Sequence, residues 1–189
     1  ICINNNWDFE KVPNADSYRY DMHIKEGDTD IRYYIIPQFA LGGHYGVRHY
    51  TVADFQIICM SATINSIPIN NIEKLPMWAI FLDGYAYHAQ APNMRFYGDK
   101  EKRDGIRDSL THRIYSWTLT WDDILLFEND KEDMLELNSV TRLVEFLKNP
   151  QNGYIKELAF GCISNTEKFM EYGGSLYQGE ITIDDSCYE

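Results

Sequence analysis

The chain has 189 residues, 44% of them hydrophobic and 14% aromatic, and its formal charge is 17 − 29 = −12. That length and apolar content exclude a wholly disordered chain and suffice for one domain with a sizeable core. The negative charge excludes a broad nucleic-acid-coating surface, because phosphate binding is mainly electrostatic, but it permits a local basic cleft.

No apolar run approaches the roughly 18 residues of a membrane span, so no membrane partner is expected. The opening, I-C-I-N-N-N-W-D, has neither the basic nor the apolar region of a signal peptide. It also lacks an initiator Met, and we expect a processed protein or a piece of a longer one. The four cysteines, Cys2, Cys59, Cys162 and Cys187, do not stand at zinc-ligand spacing. Nothing demands disulfides, so a reducing cytoplasm is the expected setting. Cys59, within F-Q-I-I-C-M, reads as a buried core thiol.

In chain order, residues 1–30 are polar and broken by Pro13, Asn14 and Gly27, and read as a partly irregular N-terminal extension with one weak strand near Tyr18–Ile24. Arg32–Phe39 is β-rich and interrupted at Pro37, and a glycine-rich turn follows at Leu41–Gly46. The β-branched and aromatic content of Tyr50–Met60 predicts a strand, and Ser61–Pro76 a loop. Met77–Asp83 is a nearly continuous apolar run, as in a central strand buried on both faces. Asp99–His112 has helical character, with Ile106 and Leu110 four apart on one face. Ile114–Trp121 alternates and predicts another strand, after which Asp122 or Asp123 can cap a short helix. Val140–Lys148 is an amphipathic helix stopped by Asn149-Pro150. Tyr154–Ile163 is apolar and of open type, and the polar tail holds one expected strand at Glu180–Ile183. The expected fold class is α/β, a mixed central sheet flanked by helices. The expected organisation is an extension over 1–30, a core over 31–150 and a C-terminal extension packing on it over 151–189.

Two aspartates stand out. Asp54 lies inside a predicted strand, where Asp is unfavourable unless it is paired or binds a cation. Asp83 ends an apolar strand and is followed at once by Gly84, a place from which α/β proteins hold metals. His88 comes five residues later and has the chemistry of a proton donor, base or ligand. Asp99 and Lys102 open the next helix within one turn of each other. Singly, each of these has an ordinary structural reading as a turn, cap or solvated-face residue. Arg95–Arg113 holds Arg95, Lys100, Lys102, Arg103, Arg107 and Arg113 against Asp99, Glu101, Asp104 and Asp108, a mildly positive stretch suited to backbone contacts through Lys100, Arg103 and Arg107. His44 and His49 precede the Asp54 strand and can approach the same site from a loop. Tyr33, Tyr34, Tyr85 and Tyr87 are candidates for stacking on unpaired bases, although most such tyrosines are core or sheet-face residues.

The runs T-V-A-D-F-Q-I (Thr51–Ile57), A-I-F-L-D-G-Y-A-Y-H (Ala79–His88), D-K-E-K-R (Asp99–Arg103) and I-Y-S-W-T-L-T-W-D-D-I (Ile114–Ile124) together resemble the very-short-patch-repair branch of the PD-(D/E)xK restriction-endonuclease-like superfamily. They are most similar to the nuclease-like domain at the C-terminus of some bacterial DEAD/DEAH-box helicases, including defence-associated ones. The resemblance implies a restriction-endonuclease-like core and a Mg²⁺- or Mn²⁺-dependent phosphodiesterase acting on DNA, with a helicase region of the same longer polypeptide as a possible partner. It further implies that Asp54 and Asp83 bind the metal with Asp99, that His88 assists proton transfer and that Lys102 lines the cleft. The cation would polarise the scissile phosphate and lower the pKa of an attacking water. The sequence departs from the family in one respect. The superfamily usually has an acid two positions before the Asp83 position, or a Lys two positions after an acid, and Phe81 and Tyr85 stand there instead. The alternative implied by that departure is a catalytically degenerate nuclease fold used to bind nucleic acid or protein.

Overall fold

The computed structural model describes residues 2, 5–14, 17–72, 75, 77–83, 96–107, 114–128 and 139–150, with the side chains of Asp83, Phe96, Tyr97, Lys100, Arg107, Asp122, Leu126 and Glu128 outside that description. Among the described residues, seven strands form one mixed sheet with a few helices, broadly an α/β arrangement. The strands are β1 (Asp8–Asn14), β2 (Ser17–Glu26), β3 (Thr29–Leu41), β4 (Thr51–Ile64), β5 (Ile67–Pro68), β6 (Met77–Asp83) and β7 (Ile114–Thr120). Their order across the sheet is β1-β2-β3-β4-β6-β7, with the short β5 paired to β4. All pairings are antiparallel except β6 with β7, which are parallel. The helices are α1 (Phe96–Arg107), α2 (Trp121–Glu128) and α3 (Ser139–Lys148), with a 3₁₀ turn at Gly43–Tyr45. α1 lies in the crossover that joins the parallel pair, as a parallel connection requires.

The strand expected near Tyr18–Ile24 lies within β2, whereas Asp8–Asn14, expected to be loop, is a strand as well, and β1 and β2 pair antiparallel. β1 is the sheet edge and mostly exposed, so its sequence shows no apolar alternation. Pro13 is tolerated because an edge strand has one side free of ladder bonds. β2 turns into β3 through Gly27, whose φ of 57° lies in the left-handed region that glycine enters without a Cβ clash. β3 runs past Pro37, which stays in register opposite Phe55, and the interruption expected there falls on the next residue, Gln38, which has φ 51° and no register partner on β4. The expected loop over 61–76 is also partly strand. β4 runs on to Ile64, then Asn65 and Ser66, both at positive φ, make a two-residue turn into β5. β6 has the expected bounds, while β7 ends at Thr120, one residue before the expectation. The segments 154–163 and 180–183 lie outside the described residues.

Alternation along β6 divides the interior in two. Trp78 and Ile80 face one cluster with Trp117, Leu119, Tyr33 and Ile57, whereas Ala79 and Phe81 face another with Leu41, Val47, Ile106 and Ile114. α3 covers the first face through Val140, Leu143, Val144 and Leu147, the i, i+3, i+4, i+7 spacing of one helical stripe. Burying each such side chain contributes about 1.5–3 kcal/mol. α3 is also tied down at both ends. Trp117 Nε1–H donates to the Ser139 carbonyl at 3.2 Å and Tyr33 O–H to the Leu147 carbonyl at 2.7 Å, while Lys148 pairs with Glu26 at 3.0 Å. α1 covers the second face through the fully buried Ile106.

Candidate functional site

The site expected from sequence falls where two strands part. β4 and β6 are paired only from Ile58 opposite Met77 to Phe55 opposite Ile80. Beyond that point β4 stays with β3 as far as Thr51, and β6 stays with β7 as far as Asp83. A strand leaving its neighbour strands backbone donors, and each orphaned donor is costly. Asp54, the residue after the last paired position, fills that gap: its Oδ2 accepts the Leu82 N–H at 2.8 Å. A carboxylate inside a strand is thereby explained, because a charge-assisted bond replaces a missing ladder bond. The bond uses one of about four lone-pair positions on the carboxylate. Asp83 is the next residue along β6, its Cα about 3.8 Å from that of Leu82. Asp83 thus directly follows the residue whose N–H the Asp54 carboxylate holds.

The remaining expected residues distribute as follows. Asp99 lies on α1 and its Oδ1 accepts from Lys102 Nζ at 3.4 Å, so these two are partners within one helical turn. The Arg103 guanidinium sits 5.3 Å from the Phe81 ring centroid, within cation–π range. Phe81, where the resemblance led to the expectation of an acid, is a buried member of the cluster under α1. Lys100 and Arg107 belong to α1, with side chains outside the described ones. His88, Tyr85 and Tyr87 lie outside the described residues. His49 reaches α1, 3.9 Å from Glu101 Oε1, and His44 packs edge-on against Tyr45. Tyr33 is a core residue, and Tyr34 carries the Arg19 guanidinium 3.9 Å from its ring centroid. Among the described residues, no three His, Cys, Asp or Glu side chains converge as a metal-ligating group. No helix among them is long and apolar enough to cross a membrane.

Sequence reasoning missed two features beside the fork. Gln56, on β4 opposite Ala79 and two residues from Asp54, is 0% exposed, and among the described residues neither Oε1 nor Nε2 has a hydrogen-bond partner. Nothing in an apolar strand sequence marks such a residue. The second is the β7–α2 junction. Asp123 Oδ2 accepts from Thr120 N–H at 2.9 Å and from Thr120 O–H at 2.6 Å, and the Thr120 hydroxyl accepts the Asp123 N–H at 3.2 Å. Thr120 is thus the N-cap, where Asp122 or Asp123 was expected, and Asp123 closes a capping box from the third helical position. The signal was present as T-x-x-D. It ends the strand at Thr120 and makes Trp121 the first residue of α2.

Comparison of the chain with family models, characterised proteins and solved structures finds no match.

Proposed function

We propose that this chain is a restriction-endonuclease-like domain that acts on DNA as a metal-dependent phosphodiesterase, accessory to a helicase or defence system. One observation carries the reading. Asp54 and Asp83, taken from separate sequence motifs, belong to adjacent strands, and the Asp54 carboxylate accepts the backbone N–H of Leu82, one residue before Asp83. The surrounding order supports it: Thr51–Ile57 lies on β4, Ala79–Asp83 on the neighbouring β6, Asp99–Arg103 on α1, and Ile114–Ile124 on β7 and the start of α2. Asp54 retains unused lone pairs and oxygen chemistry suited to Mg²⁺ or Mn²⁺, and Asp83 would complete the pair. A cation bound there supplies Lewis-acid polarisation of a phosphate and a lowered pKa for water.

A second reading, a nuclease fold that binds without cutting, is favoured by Phe81. The ring replaces an expected acid and is packed under Arg103, which leaves that position no ligand to offer.

Cleavage separates the two. Plasmid and single-stranded DNA are incubated with Mg²⁺ or Mn²⁺ and the wild type, Asp54→Asn or Asp83→Ala. Asn keeps an oxygen to accept the Leu82 N–H, so Asp54→Asn removes charge without opening the fork. Metal-dependent cleavage by the wild type alone is expected. Equal cleavage by all three proteins, or none by any, overturns the phosphodiesterase reading, and DNA binding without cleavage leaves the second.

A further inference from the structure

Of the four tryptophans, Trp7, Trp78 and Trp117 are buried. Trp121 is 68% exposed, although it directly follows the buried β7. Tyr50, directly before β4, is 71% exposed. The registers put both at one end of the sheet. Thr120 stands opposite Asp83, so Trp121 lies one residue past the end of β6. β4 runs the other way, with Phe55 opposite Ile80, so Tyr50 lies beyond the same end on the other side of β6. Val52 and Leu82 are exposed there too. Trp121 and Tyr50 therefore lie beyond the same end of β6, on the two sides of the strand end that holds the Asp54 fork.

We propose that Trp121 and Tyr50 stack on unpaired nucleobases, so that the substrate class is DNA with a single-stranded stretch at the fork. This rests on the reading of the fork as a DNA site. Aromatic rings stack on any base whose face is free, whereas in a duplex those faces are occupied. Arg48, exposed two residues before Tyr50, provides a cation for the adjoining phosphate. The net charge of −12 opposes phosphate binding, so stacking carries a large share of the affinity and the dependence on salt is shallow.

The burial of the other tryptophans makes Trp121 emission a local probe. The protein is titrated in EDTA with oligothymidylate, with an abasic oligomer of equal length and with a blunt duplex. Oligothymidylate is expected to quench emission and to bind Trp121→Ala about 5- to 150-fold more weakly than the wild type, the range set by loss of one stacked base. Trp121→Phe restores affinity without the signal, and Tyr50→Ala weakens binding while keeping it. The abasic oligomer and the duplex neither quench nor bind comparably. Equal affinity of wild type and Trp121→Ala for oligothymidylate, or equal binding of the abasic oligomer, overturns the proposal. Because the titration excludes metal, quenching that persists in a protein unable to cleave overturns only the phosphodiesterase reading. Cleavage without quenching overturns only the stacking.

Discussion

Replacing Gln56 by Met tests whether its buried amide is as isolated as the geometry indicates. The side chain is 0% exposed, faces Ala79 across the β4–β6 ladder and Ile36 across the β3–β4 ladder, and has no partner for either polar atom among the described residues. A buried polar group left without a hydrogen bond costs about 1–3 kcal/mol. Met is unbranched, of similar length and apolar, so Gln56→Met removes that penalty without a cavity or an overpacked contact. The variant is therefore expected to be more stable by about 1–3 kcal/mol. For a chain of this size, 1 kcal/mol moves Tm by roughly 2–4 °C, so the shift should be about +2 to +12 °C. Thermal unfolding followed by circular dichroism measures it. Urea unfolding should show a higher midpoint at unchanged slope, the mark of a stability change without a change in surface exposed. A lower Tm would refute the reasoning, because it would mean that the Gln56 amide makes hydrogen bonds in solution that Met cannot replace.

Three further outcomes follow from other parts of the fold. Asp123→Ala leaves the buried Thr120 N–H and hydroxyl without their acceptor and should cost about 2–3 kcal/mol in urea unfolding, whereas a loss under about 0.5 kcal/mol would show that the capping box does not hold the β7–α2 junction. The Lys148 ammonium, opposed by partial burial and helped by the Trp7 N–H, holds the Glu26 carboxyl below its ordinary 4.5. A depressed folded-state pKa stabilises above the unfolded value and is lost as pH falls through the folded one, so Lys148→Met should be slightly less stable than wild type at neutral pH, by under about 1 kcal/mol, and equal to it in acid below both values. Burial pushes the Cys59 thiol up to about 12, so at mildly alkaline pH it should label with thiol reagents only as fast as the protein unfolds, and rapid labelling of native protein would contradict its place in the core.

The parts of the fold legible in the sequence are those in which burial dictates composition. Met77–Leu82 is apolar throughout because β6 lies between β4 and β7 with a cluster on each face, and Val140–Lys148 shows its stripe because α3 covers only one. β1 was illegible for the opposite reason: D-F-E-K-V-P-N is held as a strand by its ladder to β2, and an exposed edge imposes no alternation. At the site, Asp54 and Asp83 are visible as carboxylates that strands ordinarily avoid. That β4 and β6 part at Asp54 depends on which neighbour each strand keeps, and local sequence does not encode that. Trp121 was read as the last residue of a strand because its own chemistry suits one. The capping box between Thr120 and Asp123, a relation between two other residues, puts it in the helix.

The tether between Tyr33 and the Leu147 carbonyl joins residues 114 positions apart. On a ribosome adding about 5–20 residues per second, Tyr33 emerges roughly 6–23 s before its partner exists. Throughout that interval Met22, Ile24, Ile31 and Tyr33, all bound for the interior, lack the helix that shields them. Contacts of such separation fold late, and unshielded strands are the species that aggregate. Truncation before Ser139 should therefore yield insoluble protein, and the nascent chain should depend on chaperones until α3 has been made.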